Sequence, residues 1–192
     1  MSLSIPLTIN GQQQTVEIEG QAGRREVALA DFHLLPGTTP ERESVLAPGE
    51  LVVAVRLPGV ATRFMAHARY LKLRERTSYA FAIVSAAACL DIKDGLIAEA
   101  RLALGAVAAK PWRARGAEAA LAGARPNAES FRRAAEAALS EARPSGDNAF
   151  KIELARRIVV RALALAAAGT PERMPALPAS PFAPIPGGAL HD

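Results

Sequence analysis

The spacing of apolar residues changes once along this chain, near Trp112, and this change restricts the folds that it can adopt. Before it, apolar residues alternate with polar or small ones, as in strands with one buried face. After it, they recur every three to four residues, as in amphipathic helices. Strands followed by helices are typical of an α+β sandwich. The sequence therefore predicts an antiparallel sheet of three or four strands with about three helices on one face.

The N-terminal 30 residues are predicted to form short strands joined by turns. Residues 5–9 alternate apolar with polar or small side chains, and residues 15–19 alternate again. Asn10-Gly11 between them is a strong signal for a hairpin turn. An isolated two-stranded hairpin is marginal in water, so we expect another part of the chain to cover it.

Four further strands are predicted before the change of period. Residues 51–57 are rich in β-branched side chains and end at Pro58-Gly59, and residues 64–73 alternate loosely. Residues 79–92 have the alanine content of a helix, but the turn signal at Asp94-Gly95 favours two long strands instead. The second of these strands is predicted to bury one face made of Leu96, Ala98, Ala100, Leu102 and Leu104.

Three helices are predicted after the change of period, over residues 113–122, 127–142 and 147–168. Asn127 and Asp147 are the predicted N-caps of the second and third, because their side chains can accept a hydrogen bond from the first turn. The third helix is predicted to carry a stripe made of Phe150, Leu154, Ile158, Arg161, Ala162 and Leu165.

Residues 170–192 contain six prolines and neither the helical nor the strand period, which predicts an extended tail.

Several classes of protein are excluded by what the sequence lacks. It has no glycine-rich phosphate loop and no nucleophile elbow. One cysteine rules out an internal disulfide, and the three histidines lie far apart, so no local metal motif is present. No apolar run is long enough to cross a membrane, and no secretory signal is visible. The residues alone therefore indicate an α+β domain without a self-contained catalytic apparatus.

The most unusual segment is the end of the predicted strand 64–73 and the residues that follow it. Three cations occur within five residues at period two, so they are predicted to project from one side of a strand. Hydroxyl groups follow them, and such donors could bind a pyrophosphate or an electron-rich ring. The alternative is a solvated face with Glu75 as the local counter-ion. The candidate binding residues are Lys72, Arg74, Arg76, Ser78 and Tyr79.

Three other side chains are of types that can act as functional groups. Trp112, the one tryptophan, is predicted to anchor the packing at the strand-to-helix corner, with stacking on a ligand as the alternative. Cys89 is predicted to be a small core residue rather than a reactive thiol, and Ser85 is predicted to be a packing residue.

Four segments carry, in order, a resemblance to a known family. They are ADFHLLPG at residues 30–37, LAPGEL at residues 46–51, YLKLRERTSYAFA at residues 70–82 and LGAVAAKPWR at residues 104–113. Over residues 27–190 the chain resembles the C-terminal domain of the FAD-binding (medium) subunit of molybdenum hydroxylases. This is the family of xanthine dehydrogenase, carbon monoxide dehydrogenase and bacterial aldehyde oxidoreductases, and the aldehyde-oxidoreductase type is resembled most.

The resemblance implies a component of an oxidoreductase in which electrons pass from a molybdenum cofactor through iron–sulfur clusters to FAD and then to an acceptor. It implies that the sheet, backed by three helices, closes over the isoalloxazine. It implies that Lys72 lies beside the flavin ring, where a cation stabilises the reduced flavin, and that Arg76 lies in the adjoining loop. Ser78 and Tyr79 stand where other members carry acidic residues.

The resemblance also predicts a division of the chain. The family pattern places two FAD-holding subdomains before residue 27, whereas residues 1–26 contain no phosphate loop, and residues 5–12 resemble the opening strand of the iron–sulfur subunit. We expect residues 1–26 to be a hairpin-like remnant of that subunit, residues 27–168 to be the flavoprotein domain, and residues 169–192 to be the tail. A deletion or a truncated gene model would explain this arrangement.

The partners implied are the iron–sulfur subunit and the molybdenum-cofactor subunit, with FAD bound weakly or not at all by this chain alone and no activity in isolation. The alternative function is a non-catalytic assembly domain that binds those oxidoreductase subunits. Net charge +4 permits binding to nucleic acid, but aromatic residues are sparse and no nucleic-acid-binding motif occurs, so neither nucleic acid nor a membrane is expected as a partner. A cytoplasmic location is expected, with periplasmic export on a partner's signal left open.

Overall fold

A computed structural model describes residues 15–20, 23–76 and 79–172. The predicted strand at residues 5–9, the candidate residue Ser78 and most of the predicted tail lie outside the described residues. The predicted domain boundaries stay predictions.

The described residues form two antiparallel sheets and a set of helices, which confirms the α+β class. The strands are β1 (Thr15–Gly20), β2 (Gly23–Ala28), β3 (Leu51–Arg56), β4 (Ala68–Leu73), β5 (Val84–Lys93), β6 (Leu96–Gly105) and β7 (Trp112–Arg113). The α-helices are α1 (Leu29–Phe32), α2 (Arg115–Leu121), α3 (Ala128–Ala138) and α4 (Phe150–Ala167), and a 3-10 helix spans Gly59–His67.

The first sheet has the strand order β2-β1-β3. The strand predicted at residues 15–19 is confirmed as β1, and the N-terminal hairpin is formed by β1 and β2. Both edges of β1 are therefore occupied, one by β2 and the other by β3, rather than one edge being paired with residues 5–9. Val16 and Ile18 are the buried side chains of this strand.

Glu50 ties the first sheet to the loop that precedes β3. Its carboxylate accepts hydrogen bonds from Arg25 Nε at 2.9 Å and Arg25 Nη2 at 2.7 Å, and from the backbone N–H of Ala47 at 2.7 Å. The bonds from Arg25, and then the bond from Ala47, hold the pKa of Glu50 at about 2, against an ordinary value of 4.5.

This pKa predicts how stability depends on pH. A carboxyl group with a lowered folded-state pKa stabilises the fold above its unfolded pKa, and the contribution is lost as pH falls from about 4.5 through about 2. We expect Glu50→Gln to lose less stability than the unsubstituted chain between pH 6 and pH 2.5, as measured by urea unfolding. Glu41→Gln, at an exposed glutamate, is the matched control, and a pH profile for Glu50→Gln that parallels the unsubstituted chain would contradict this assignment.

The second sheet has the strand order β4-β5-β6-β7, and α2, α3 and α4 pack on one of its faces. The core between them is built from small and aliphatic side chains and contains one aromatic ring that is fully within it, Phe131. The two long strands, β5 and β6, are confirmed, and they turn at Asp94-Gly95, where both residues have positive φ angles of 51° and 74°. This is the backbone of a two-residue hairpin turn.

The predicted buried face of β6 is wrong at its first two members. Leu96 is 41% exposed and Ala98 is exposed, whereas Ile97 is fully buried. The pairing shifts by one residue between Asp91 and Ile92, so that Ala98 is an extra residue in β6. Such a bulge reverses the alternation, and the predicted face holds only from Ala100 onward.

The predicted strand at residues 64–73 is also only partly correct. Residues up to His67 belong to the 3-10 helix, and the strand begins at Ala68. The Phe64 ring is buried against β5, with the guanidinium of Arg101 centred 5.8 Å from it. Burial of Phe64 therefore requires a compact turn here rather than an extended chain.

Helices α2, α3 and α4 appear where they were predicted, with different ends. Asn127 caps α3 as predicted, since its side chain accepts a bond from Ser130 N at 3.0 Å, but α3 ends at Ala138. Asp147 does not cap α4, which begins at Phe150 after Ala149 without a side-chain cap. Phe150 is 58% exposed, so it does not belong to the buried stripe. Arg161 is exposed as well.

The end of α4 is fixed to the outer edge of β4. Thr170 N donates to Ala66 O at 2.8 Å. The Thr170 hydroxyl accepts from Ala68 N at 2.7 Å and donates to Ala68 O at 3.2 Å. Backbone groups alternate in direction along a strand, so those of Tyr70 and Lys72 also face away from β5. No described residue forms a backbone hydrogen bond with them on that side.

Candidate functional site

The strand register assigns each side chain of the second sheet to one of its two faces. Residues directly opposite each other in neighbouring antiparallel strands share a face. Leu71, Ala86 and Leu104 lie in one such row, on the face that packs against the helices. Lys72, next to Leu71, therefore lies on the opposite face, which the three helices leave uncovered.

Two neighbouring rows of side chains form this uncovered face. One row contains Lys72, Ser85 and Gly105, and the next contains Tyr70, Ala87, Ala103 and Arg113. All members of β5 and β6 in these rows are small. The result is a flat floor bordered by Lys72 and Tyr70 on the β4 side and by Arg113 on the β7 side.

Close packing requires the glycine in this floor. A Cβ atom at Gly105 would lie 2.5 Å from Ser85 Oγ, which is shorter than any real contact of that kind. Ser85 itself is only 6% exposed, as its predicted packing role requires, but it packs on the uncovered face rather than in the helix-covered core.

Among the candidate residues that the structure describes, Lys72 is the one that lies in a strand. Its side chain is exposed, and no described residue forms an ion pair or a hydrogen bond with it. Its charge is therefore not neutralised by a neighbour within the described part of the chain.

The prediction that three cations project from one side of a strand is wrong. β4 ends at Leu73, which pairs with Val84, the first residue of β5. Without a partner strand beyond that point, Arg74 and Arg76 lie in a bent segment. Arg74 is half-buried and Arg76 is exposed, so the two do not continue the face of Lys72.

Arg76 and Tyr79 are brought together by a contact within their own loop. The Arg76 guanidinium donates a hydrogen bond to the backbone carbonyl of Tyr79. Tyr79 has a φ angle of +51°, a left-handed conformation that a bulky residue rarely adopts. Its side chain is 97% exposed. Arg76 therefore holds the backbone of a loop that presents Tyr79 outward.

Phe81 is a further candidate that the sequence analysis did not select. It is 98% exposed, and it follows Tyr79 in the same loop. Beyond that loop, the backbone N–H of Ile83 donates to Leu73 O at 2.9 Å, so the loop returns to the end of β4 close to Lys72. The sequence did contain a signal for Phe81. It is an apolar side chain two residues after Tyr79, in a segment without strand or helix periodicity.

Cys89 lies on the uncovered face as well, half-buried, rather than in the helix-covered core. Burial raises the pKa of its thiol, an effect that the charge of Arg113 partly opposes. Within the described residues, no group of three or more His, Cys, Asp or Glu side chains could hold a metal ion. None of the described helices is long and apolar enough to cross a lipid bilayer.

Comparison with known proteins gives this arrangement a family. The model of the CO dehydrogenase flavoprotein C-terminal domain matches residues 69–166, which include β4 to β7 and the three packed helices. The chain belongs to this family. The resemblance predicted from the sequence is thereby confirmed, and the match includes Lys72, the uncovered face and the aromatic loop.

Among curated relatives of this flavoprotein family, the aldehyde oxidoreductase FAD-binding subunit PaoB of Escherichia coli K12 is 41% identical over 156 residues. These residues are 81% of this chain and 44% of PaoB. The chain thus spans less than half the length of the curated relative that it matches.

Two solved structures show the same fold. A carbon monoxide dehydrogenase from Hydrogenophaga pseudoflava matches with a TM-score of 0.70 and 31% identity, and quinoline 2-oxidoreductase from Pseudomonas putida 86 matches with a TM-score of 0.68 and 27% identity. Each match covers 81% of this chain and 53% of the other.

The uncovered face suits the planar part of a flavin. Ala87, Ala103 and Gly105 leave a flat surface without projecting side chains, and Lys72 stands at its rim. Tyr79 and Phe81 offer two exposed aromatic faces in the loop that returns to the end of β4. Isoalloxazine is flat and aromatic with hydrogen-bond acceptors at one edge, so these residues fit the ring of FAD.

Proposed function

We propose that this chain forms the part of a FAD-binding subunit that contacts the isoalloxazine ring in an oxidoreductase of the molybdenum hydroxylase type. The observation that carries the proposal is Lys72. It is an exposed cation without a described counter-ion, at the rim of an uncovered floor of small side chains. The loop that returns to the end of β4 beside it carries two aromatic side chains that are almost fully exposed. The family match and the similarity to PaoB, a FAD-binding subunit, support it.

Each candidate residue has a distinct part in this proposal. Lys72 supplies positive charge and hydrogen-bond donors at the edge of the ring. Tyr79 and Phe81 shield the ring from water and contact it through their aromatic faces. Arg76 acts on the ring indirectly, because it holds the carbonyl of Tyr79. Arg74 and Ser78 keep the role of hydrogen-bond donors that the sequence predicts for them. Bound FAD would supply the electron-transfer chemistry.

The partners in this proposal are an iron–sulfur subunit and a molybdenum-cofactor subunit, in the cytoplasm. The relatives support assembly with other subunits, since PaoB is named as the FAD-binding subunit of an aldehyde oxidoreductase and another relative is a Cu,Mo-containing CO dehydrogenase. The cytoplasmic location is an expectation from the sequence alone. We further propose that the chain alone is inactive and binds whole FAD weakly. The sequence supports weak binding, because it lacks a glycine-rich loop to hold a diphosphate.

Binding of flavin fragments tests the contact with the ring. Riboflavin carries the ring without the diphosphate, and ADP carries the diphosphate without the ring. We expect riboflavin and FAD to bind with similar, weak affinity, as measured by quenching and anisotropy of flavin fluorescence, and ADP not to compete. Lys72→Met should weaken riboflavin binding about two- to fivefold, the loss expected for one exposed charged contact.

Lys93→Met is the matched control, because Lys93 is also an exposed lysine of the second sheet but lies at the far end of β5 and pairs with Asp91 at 3.2 Å. It should leave flavin binding unchanged. Equal effects of the two substitutions, competition by ADP, or an absence of riboflavin binding up to its solubility limit would each overturn the assignment of the ring to this face.

The exposure of Tyr79 and Phe81 also favours a second function, that of an assembly domain that docks on the partner subunits through this loop. The two functions differ in what Tyr79→Ala and Phe81→Ala would change. For the assembly function, these substitutions would abolish co-purification with the iron–sulfur and molybdenum subunits and leave riboflavin binding intact. For the flavin function, these substitutions would abolish riboflavin binding before they affect co-purification.

A further inference from the structure

A groove on the helix-covered side of the second sheet has no part in the proposed flavin site. It lies between the β6–β7 connection, the end of α3 and the start of α4. Its apolar wall includes Val107, Trp112, Leu139 and Ile152, and Arg143 and Lys151 add two cations.

The groove is preformed, because two hydrogen bonds fix its walls. Trp112 Nε1 donates to Ala138 O at 3.1 Å, so the indole is held at the end of α3 while its ring stays only half-buried. Lys151 Nζ donates to Ala106 O at 2.7 Å and joins the start of α4 to the β6–β7 connection. A lysine ammonium has three donors, so two remain for a ligand. A fixed aromatic ring beside cations suits an extended, largely apolar segment with a carboxylate.

The C-terminal segment of this chain has that chemistry. Four of its prolines, Pro175, Pro178, Pro181 and Pro184, recur at every third residue. A polyproline II helix has three residues per turn, so prolines at this spacing would share one side. Grooves lined by aromatic residues recognise proline-rich segments of this kind. We propose that residues 173–192 bind in the groove of the same chain, with the proline side against Trp112.

The length of the segment allows this contact. Thr170 is fixed at Ala66 and Ala68, at the end of α4 that lies away from the groove. The 18 residues of α4 correspond to about 27 Å of helix. The 20 residues that follow Glu172 span about 62 Å as a polyproline II helix. Pro181 and Pro184, about 28 Å and 37 Å along such a helix from Glu172, therefore reach the groove at the start of α4.

Charge favours the same occupant. The segment carries the carboxylate of Asp192, and its one arginine, Arg173, stands at the opposite end of the segment, next to Glu172. Arg143 and Lys151 provide opposite charge at the groove. The proposal depends only on this groove and this segment, so it does not depend on the flavin assignment.

The single tryptophan of the chain makes the contact directly measurable. Trp112 lies in the groove, so its fluorescence reports on the occupant of the groove alone. We compare the full chain with a chain that ends at Glu172. Removal of residues 173–192 should shift the emission to longer wavelength and increase quenching by acrylamide. A synthetic peptide of residues 173–192 should reverse both changes, and the same peptide with alanine at positions 175, 178, 181 and 184 should not.

A full-length variant with Pro175, Pro178, Pro181 and Pro184 all replaced by alanine provides a second test that keeps the length of the chain. It should reproduce the emission shift, and Lys151→Glu should reproduce it in part. Identical emission and quenching for the full chain, the shortened chain and the proline variant would overturn the proposal. Emission that depends on protein concentration would also overturn it, because the groove would then hold a second copy.

Discussion

Replacement of Leu104 by alanine is expected to lower the free energy of unfolding by about 2–5 kcal/mol. Leu104 is 1% exposed and lies between Ala86 and Trp112 on the helix-covered face of the second sheet. The core around it is made mostly of alanine, leucine and valine, so few large side chains can move into the space left by the deletion. Urea unfolding followed by circular dichroism measures the loss.

Leu96→Ala is the matched control for this substitution. Leu96 belongs to the same strand, β6, but the bulge at Ala98 turns it outward and leaves it 41% exposed. Its replacement should cost less than about 1 kcal/mol. Similar losses at the two positions would mean that the bulge does not exist and that the alternation predicted from the sequence is correct.

The contact between Gly105 and Ser85 supplies the second large effect. Gly105→Ala places a Cβ atom 2.5 Å from Ser85 Oγ, so the Ser85 hydroxyl must rotate away or one of the two strands must shift. We expect a loss of about 1–3 kcal/mol, as for other overpacked sites. Ser85→Ala removes the hydroxyl group with which the new Cβ atom clashes. The double variant should therefore be more stable than the sum of the single changes implies, and a double-mutant cycle by urea unfolding measures that difference.

Gly59→Ala is the control for the general effect of replacing a glycine by alanine without a steric clash. No heavy atom lies within 4 Å of a Cβ built at Gly59, so the substitution should change stability by less than about 0.5 kcal/mol. Strict additivity of Gly105→Ala and Ser85→Ala would show that the floor of the uncovered face is not closely packed there. In that case the floor would also lose its role as a fixed surface for a ring.

Much of the fold follows from periodicity, and its errors have local physical causes. The alanine-rich segment from Val84 to Lys93 cannot be assigned by composition, but the hairpin turn at Asp94-Gly95 resolves it. The bulge at Ala98 depends on how β5 and β6 pair. The alternation of side chains within one strand carries no information about that pairing. The 3-10 helix depends on the burial of Phe64 against a strand that comes later in the sequence.

The sequence predicts which segment contains the candidate site, but it does not predict how the residues of that segment are arranged in space. Lys72 is recognisable from the family motif, and the structure places it on the uncovered face. The positions of Arg74 and Arg76 are set by the start of β5 at Val84, because β4 cannot extend beyond its partner. The exposure of Phe81 likewise results from the path of the loop. The sequence around Phe81 has no periodicity from which this exposure could be predicted.

The outer edge of β4 has a consequence for self-association. Strand edges with unpaired N–H and C=O groups recruit other strands, and lysine side chains discourage this by charge repulsion. Thr170 occupies the groups of Ala68, and Lys72 stands over the remaining length. We therefore expect the ammonium group that we assign to a cofactor also to disfavour pairing of another strand with this edge. Neutral substitutions of Lys72 should therefore be studied at low concentration, where loss of solubility is not mistaken for loss of binding.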